Sequence, residues 1–149
     1  MYTCNMAHVS TKEKILSGYK VKEHIERAIE LKPTDSTCHF TLGRWHAAIA
    51  ELSWAERMAA SAFIATPPTS THNNALECFL RAEEVHHEKA KAEGRPKSAG
   101  YWITNTYWAA KMYEKLGQAQ ERKEWLLRAA AFANEVSTPE DVTTLEQVQ

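Results

Sequence analysis

Histidines are the residues of this sequence that come closest to forming a chemical site. His39 and His46 stand seven positions apart, a spacing that places both imidazoles on one face of a helix, as metal ligands would require. The same positions are packing positions of a helical repeat, so we favour a structural role for both. His86 and His87 are adjacent, and adjacent side chains on a helix point apart. Since no third ligand accompanies either pair, the sequence predicts no metal site.

Other reactive residues are equally isolated. The cysteines Cys4, Cys38 and Cys78 lack metal-ligand spacing, and an odd number does not complete a disulfide framework. The sequence contains neither a glycine-rich phosphate loop nor a nucleophile motif. We therefore expect a protein that is not an enzyme, with no catalytic residues and no cofactor.

Length and charge restrict the remaining functions. The 149 residues suit a single domain, 1–149. The formal net charge of −1 provides no global field that would attract nucleic acid. No run of about 18 apolar residues occurs, and the N-terminus lacks the regions of a signal peptide. We expect a cytoplasmic protein with no membrane segment in this chain, and the oligomeric state is left open.

A repeated pattern predicts the elements that would position a binding surface. Its parts are Ala28-Ile-Glu-Leu-Lys-Pro33, the pair Leu42-Gly43, and the series Ala75, Phe79 and Ala82. Small residues at helix crossings and a closing proline are typical of tetratricopeptide repeats, in which two antiparallel helices occupy about 34 residues. The predicted fold is all-α, a tetratricopeptide-like helical-repeat array (an α-α superhelix) of about six to eight helices.

The register of the repeat divides the chain. We expect a partial first repeat at 1–33, a middle repeat at 34–87 with an insert at 53–70, a last repeat at 98–134 and a capping helix at 138–149. Gly43 would lie in mid-helix, where glycine costs about 1 kcal/mol relative to alanine. We expect close backbone contact at the helix crossing to compensate.

Capping motifs locate several helix ends. Ser10-Thr-Lys-Glu13 and Ser53-Trp-Ala-Glu56 are capping boxes, and the second begins an extra helix in the insert. Thr66-Pro67-Pro68 stops that helix. Asp35 or Ser36 caps the helix at 36–51, and Ser70 or Thr71 restarts the interrupted repeat.

Apolar spacing predicts which side of each helix is buried. In the first helix these residues are Ile15, Tyr19, Val21, Ile25, Ala28 and Ile29. In the insert helix they are Trp54, Met58, Ala62 and Phe63. In the helix at 118–134 they are Leu126, Ala129 and Ala133, with Trp125 and Phe132 beside them. Between these elements, Gly94 and Pro96 make 86–98 a loop or a broken helix, followed by a helix from about Ser98 to Leu116.

The first helices of successive repeats line a concave groove, which is the sharpest functional feature of the sequence. In the register above, its candidate partner-binding residues are Phe40, Arg44, Tyr107, Trp108, Lys111 and Lys115. The fifth residue of the repeat is aromatic, and the ninth is cationic, in both the middle and the last repeat. Such a groove suits a peptide with acidic and apolar groups. It differs from the two-carboxylate clamp of chaperone-binding repeats, because asparagine is missing from the ninth position.

Several strings resemble the regulator of microtubule dynamics family. Besides the repeat signatures they are Lys22-Glu-His24, Leu42-Gly-Arg-Trp45, Glu51-Leu-Ser-Trp54, Ala65-Thr-Pro-Pro-Thr-Ser-Thr71 and Arg81-Ala-Glu-Glu84, within residues 11–134. The resemblance implies a tetratricopeptide-like domain that associates with microtubules and, in some members, with spindle function and chromosome segregation. It also implies an N-terminal mitochondrial anchor in some members, which we do not find in this sequence. It transfers no residue as a microtubule contact.

Two kinds of partner remain open. If tubulin is contacted directly, its acidic tails need a local positive patch, either in the groove or at Lys89, Lys91, Arg95 and Lys97. The alternative is an adaptor whose groove recruits a peptide segment of another protein without contacting tubulin. The first interpretation places the protein on cytoskeletal microtubules.

Overall fold

The computed structural model describes residues 11–62, 68–95 and 102–131, and every regular element within these ranges is a helix. The all-α prediction is therefore confirmed. In chain order the helices are α1 (Thr11–Leu31), α2 (Ser36–Ala50), α3 (Trp54–Ser61), α4 (His72–Ala92), α5 (Ile103–Lys115) and α6 (Ala119–Ala131).

The centre of the fold is the crossing of α2 and α4, which make the most extensive helix contact. Ala75, Phe79 and Ala82 of α4 are completely buried, as their spacing predicts. A Cβ atom built on Gly43 of α2 would lie 2.7 Å from Cε1 of Phe79, closer than real Cβ contacts. Only glycine therefore lets the Phe79 ring approach the backbone of α2, and the predicted close contact is confirmed.

The ends of α2 are fixed by side chains. Asp35 is its N-cap, and one carboxylate oxygen accepts a hydrogen bond from the backbone N–H of Thr37 at 3.0 Å. At the other end, the Arg57 guanidinium donates to the carbonyl oxygens of Leu52, Ile49 and Ala50 at 3.0–3.2 Å. Since the last carbonyls of a helix lack intrahelical partners, Arg57 satisfies them and ties α3 to α2.

Helix α3 begins as predicted but does not bury the predicted face. The Ser53–Glu56 capping box is present, yet the Trp54 side chain is 76% exposed and that of Met58 is 52% exposed. Ala62 is exposed as well. Apolar periodicity identifies a face but not a neighbour, and Ala60 is the buried residue of this short helix.

In α1, one of the predicted positions whose side chain the structure describes is wrong in the same way. Val21 was expected to be buried, and it is 46% exposed, whereas Ile25, Ala28 and Ile29 are half-buried. Helix α1 packs along α2 and touches α3. These neighbours cover a narrower strip of α1 than its apolar side chains occupy.

The segment after Val85 is helical, so the predicted loop or broken helix at 86–98 is wrong up to Ala92. Thr71 caps α4 with a capping box to Asn74, and the helix continues through 21 residues. Burial of Val85 and Ala90 extends the apolar face by another turn. The helix ends at Ala92, and Gly94, with φ of +65°, has the left-handed conformation that glycine adopts just after a helix C-terminus.

Helix α5 starts later than predicted. Trp102 is its N-cap with extended dihedrals, φ −111° and ψ 101°, so a single helix from Ser98 to Leu116 is wrong. Gly117, with φ +74°, ends α5. In α6, Trp125 and Ala129 are buried and Leu126 is half-buried.

Some predictions lie outside the described residues. They are the Ser10 capping box, Phe63, the stop at Thr66-Pro67, the residues Phe132 and Ala133, and the capping helix at 138–149. None of the helices in the described ranges combines the length and apolarity that crossing a membrane requires.

Candidate partner-binding surface on α2 and α5

Five of the six predicted groove residues meet where α2 faces α5. The Arg44 guanidinium lies 4.0 Å from the centroid of the Trp108 ring and 5.9 Å from that of Phe40. From α5, Lys111 Nζ lies 4.6 Å from the Trp108 centroid and 5.6 Å from the Tyr107 centroid. Cations at these distances are attracted to the faces of the rings. We call Phe40, Arg44, Tyr107, Trp108 and Lys111 the cation–aromatic surface.

The aromatic residues of this surface are supported by the core. Phe40 is only 6% exposed, and its ring packs 5.7 Å from Phe79 and 4.6 Å from Trp102. Trp108 is half-buried, with its ring centroid 6.1 Å from that of Phe79. Phe40 therefore supports the surface from below, while Trp108 supplies the ring on which both cations rest.

Among the residues that the structure describes, no acidic side chain neutralises the two cations. Arg44 is exposed and Lys111 is half-buried. In the described ranges no carboxylate lies within ion-pair distance of either of them, whereas eight other ion pairs are formed there. A guanidinium offers planar paired donors that match a carboxylate. The arrangement thus provides two adjacent positive groups beside exposed ring surface, which suits an anionic ligand with apolar parts.

Lys115, the sixth predicted groove residue, has a different role. Its Nζ lies 3.2 Å from Oε1 of Glu51, and both side chains are about half exposed. This pair joins the C-terminal ends of α2 and α5 beside the cation–aromatic surface. Lys115 is therefore already compensated within the protein.

The predicted basic patch is only partly supported by the structure. Lys89 and Lys91 are exposed in the last turn of α4, where positive charge complements the helix dipole. Arg95 Nε lies 2.8 Å from Oε2 of Glu93, so this guanidinium is paired. Lys97 lies outside the described residues.

The histidines of α2 turn to separate partners. His39 Nε2 lies 2.9 Å from the carbonyl oxygen of Pro33, and His46 Nδ1 lies 2.7 Å from Ser70 Oγ. Burial, assisted by the charge of Lys22, lowers the pKa of His46. Across the described ranges, no three His, Cys, Asp or Glu side chains are grouped as a metal site would require.

A second concave region lies between α1, α2 and the end of the insert. It is an open cavity of about 440 Å³ whose lining includes Tyr19, Trp45 and Pro68. Lys22 Nζ lies 5.7 Å from the centroid of the Trp45 ring and also pairs with Glu26 on the next turn of α1. The Trp45 indole Nε1 donates to the carbonyl oxygen of Gly18 at 2.8 Å.

Sequence reasoning missed a buried polar contact between α4 and α5. Asn105 Nδ2 donates to Oε2 of Glu83 at 2.7 Å and to the carbonyl oxygen of Phe79 at 3.0 Å. Burial raises the pKa of Glu83 to about 7, although the hydrogen bond from Asn105 acts in the opposite direction. One signal was available, because Asn105 shares its helical face with Ala109 and Met112, which are both buried.

Comparison with known proteins gives a consistent result. The model of the family described as Regulator of microtubule dynamics protein 1-3 matches residues 4–149. Regulator of microtubule dynamics protein 3 of Xenopus laevis is 39% identical over 142 residues, which are 95% of this chain and 28% of that protein. The rat protein of that name is 37% identical over 85% of this chain and 24% of its own length.

Similarity extends to a second type of relative. Regulator of microtubule dynamics protein 1 of Homo sapiens is 33% identical over 133 residues, which are 89% of this chain and 38% of that protein. The chain thus spans between about a quarter and two-fifths of the length of these relatives.

Proposed function

This chain belongs to the family of Regulator of microtubule dynamics proteins 1-3, and we propose that it is a non-enzymatic microtubule-associated protein. In this proposal it binds tubulin directly through the cation–aromatic surface. Its sites of action are the microtubules of the cytoskeleton and the spindle, where it contributes to microtubule dynamics and to chromosome segregation.

The observation that carries the proposal is the pair of uncompensated cations on Trp108. Arg44 and Lys111 lie 4.0 and 4.6 Å from this one ring. The tails of tubulin on the microtubule exterior are acidic, and their carboxylates would supply the negative charge that these cations lack among the described residues. Because the net charge is −1, attraction must arise from this local feature and not from the protein as a whole.

Co-sedimentation of the 149-residue chain with taxol-stabilised microtubules across a salt series tests direct binding. The proposal predicts saturable binding that weakens steeply as salt rises, since added ions screen exposed charges. Protein that stays in the supernatant at every microtubule concentration would contradict it. Binding that is insensitive to salt would also contradict it, because the contact would then not be electrostatic.

A peptide-binding adaptor is the second candidate, because Tyr107 and Trp108 are half-buried beside the cations. Partly exposed rings next to positive groups suit a peptide with apolar and acidic side chains from another protein. Proteolytic removal of the tubulin tails separates the two candidates. Direct tail recognition predicts that binding is lost with the tails, whereas an adaptor is unaffected by their removal.

The last turn of α4 offers an alternative contact within the direct-binding proposal. Lys89 and Lys91 are exposed, and the sequence places Arg95 and Lys97 just beyond them. Reversing all four charges to glutamate should leave binding largely intact if the cation–aromatic surface is the contact. A loss as large as that caused by reversing Arg44 and Lys111 would instead place the contact at the end of α4.

A further inference from the structure

A buried acid and a buried amide join α4 to α5. Glu83 is 6% exposed and Asn105 is fully buried. The Asn105 amide donates to the Glu83 carboxyl at 2.7 Å, and the backbone N–H of Trp102, the N-cap of α5, donates to it as well. Trp102 has no side-chain cap of its own, so Glu83 of one helix caps the start of another. We call this pair the Glu83–Asn105 clasp.

An unpaired acceptor in the clasp could receive a hydrogen bond from a protonated Glu83. Asn105 Oδ1 is buried and accepts no hydrogen bond from any group that the structure describes, which is costly for a polar atom. An ionised carboxylate can only accept hydrogen bonds, whereas a protonated one carries an O–H donor. A protonated Glu83 could therefore donate to Asn105 Oδ1 while accepting from its amide, and the acid–amide pair would satisfy both side chains.

Charged groups around Glu83 do not supply a full counter-charge. On α4, His87 Nε2 lies 3.8 Å from Oε1 of Glu83, and burial followed by the charge of Arg128 lowers the pKa of His87, so near neutral pH this imidazole is uncharged. On α6, Arg128 favours the ionised form of Glu83, while its guanidinium lies 5.0 Å from the Trp125 ring. Burial outweighs these contributions and raises the pKa of Glu83 to about 7.

The clasp also lies behind the cation–aromatic surface. Asn105 and Trp108 are on successive turns of α5, with Asn105 turned to α4 and Trp108 turned to Arg44. Phe79 connects the two sides, because its carbonyl oxygen accepts from Asn105 and its ring lies 6.1 Å from that of Trp108. A change in the clasp thus acts directly on the helix that carries Trp108 and Lys111.

We infer that Glu83 and Asn105 are positioning residues for the cation–aromatic surface, and that loss of the Glu83 proton loosens α5 and weakens binding of an acidic partner. The effect on binding rests on the proposed function. The effect of the Glu83 proton on α5 does not depend on it. The proton leaves Glu83 to water, and the resulting buried carboxylate is stabilised less well than its neutral form.

The structural part is tested by thermal unfolding of three proteins as a function of pH. Glu83→Gln mimics the protonated acid, and Glu84→Gln, an exposed neighbour paired with Arg81 on the surface, is the matched control. Because the pKa of Glu83 is raised by folding, its protonated form stabilises the protein at low pH, and that contribution is lost as pH rises towards 7. Relative to Glu83→Gln, the Tm of the wild type should fall by about 5 °C between acidic and mildly basic pH. Glu84→Gln should follow the wild type, and parallel curves for wild type and Glu83→Gln would overturn the clasp.

Two further measurements test positioning. The indole N–H resonance of Trp108 should shift with a midpoint near the pKa of Glu83 in the wild type and stay fixed in Glu83→Gln. Microtubule co-sedimentation should weaken several-fold across the same pH range for the wild type and remain nearly constant for Glu83→Gln. Equal pH dependence of binding in both proteins would overturn the regulatory inference. If neither protein binds microtubules at any pH, the proposed function fails, and the Trp108 resonance alone decides whether Glu83 positions α5.

Discussion

Two regions of this protein place a lysine over a tryptophan, and they differ in what else surrounds the lysine. Between α1 and α2, Lys22 lies over Trp45 and pairs with Glu26. Between α2 and α5, Lys111 lies over Trp108 together with Arg44, and the described residues offer neither cation a carboxylate. The same residue types thus form a neutralised structural contact in one region and an uncompensated positive surface in the other.

The tryptophans themselves show the same contrast. Trp45 is 8% exposed and its indole N–H is committed to the carbonyl oxygen of Gly18, so it holds α1 against α2. Trp108 is half-buried and lies on the core through Phe79. We conclude that the first region stabilises the fold, and we propose that the second contacts a partner. Single substitutions test this distinction.

The largest effect is expected from adding one methyl group on the α4 side of α2. Gly43→Ala would place a Cβ 2.7 Å from Phe79, a ring that is fully buried and cannot retreat. We expect a net loss of about 2 kcal/mol in the free energy of unfolding, although alanine is favoured over glycine in a helix by about 1 kcal/mol. Chemical denaturation measures this change in the free energy of unfolding.

Gly18→Ala, in the region between α1 and α2, is the matched control for Gly43→Ala. A Cβ on Gly18 meets nothing within 4 Å, so this variant keeps the helix-propensity gain without the clash. It should be as stable as the wild type or slightly more so. Equal effects of the two substitutions would show that α2 and α4 are not held in close contact at Gly43.

Replacing each tryptophan by phenylalanine should separate stability from binding. Trp45→Phe removes the indole N–H that donates to the Gly18 carbonyl oxygen, although that oxygen keeps its backbone bond within α1. The change should cost about 1 kcal/mol of stability and leave microtubule binding unchanged. Trp108→Phe keeps an apolar ring but weakens the attraction for Arg44 and Lys111, so it should reduce binding with little loss of stability. A Trp108→Phe variant that unfolds more readily than Trp45→Phe would reverse the roles assigned here.

A carboxylate introduced at position 48 should neutralise Arg44, as Glu26 neutralises Lys22 in the other region. Ala48 is exposed on α2, four positions after Arg44, as Glu26 is four positions after Lys22. Ala48→Glu should therefore pair with Arg44 and weaken microtubule binding several-fold, while Ala48→Gln should bind like the wild type. Similar binding by both variants would mean that the free charge of Arg44 is not used.

The smallest effect is expected from the reverse experiment. Glu26→Gln removes the partner of Lys22 and leaves that lysine over Trp45 as an unpaired cation. Exposed ion pairs contribute little to stability, so the fold should be unchanged. Microtubule binding at low salt should increase slightly, and a marked decrease would show that Glu26 itself contributes to the contact.

Sequence reasoning succeeded where a local spacing determines a contact. The intervals between Ala75, Phe79 and Ala82 placed one buried face, and Gly43 identified the crossing. The repeat register also predicts that Arg44 and Lys111 lie near each other, and both lie over the Trp108 ring. The repeat period thus predicted a contact between residues that are far apart in the sequence.

It failed where a contact depends on which neighbour happens to be present. Apolar spacing predicts that Trp54 and Met58 are buried in α3, but they are 76% and 52% exposed, because spacing does not show whether another helix covers that face. The Glu83–Asn105 clasp joins two helices at positions outside any repeat rule. The length of α4 was missed because in the sequence Gly94 and Pro96 indicate a break, whereas only tertiary packing shows that Val85 and Ala90 are buried.

The most direct test of the central claim is microtubule co-sedimentation of two charge-matched double variants. Arg44→Glu with Lys111→Glu reverses both uncompensated cations, and Lys20→Glu with Lys123→Glu makes the same change in net charge at exposed lysines of α1 and α6. We predict that the first variant loses at least about tenfold in affinity, as expected when complementary charges are reversed, and that the second binds like the wild type. Equal affinity of the two variants would contradict the assignment of the partner contact to the cation–aromatic surface.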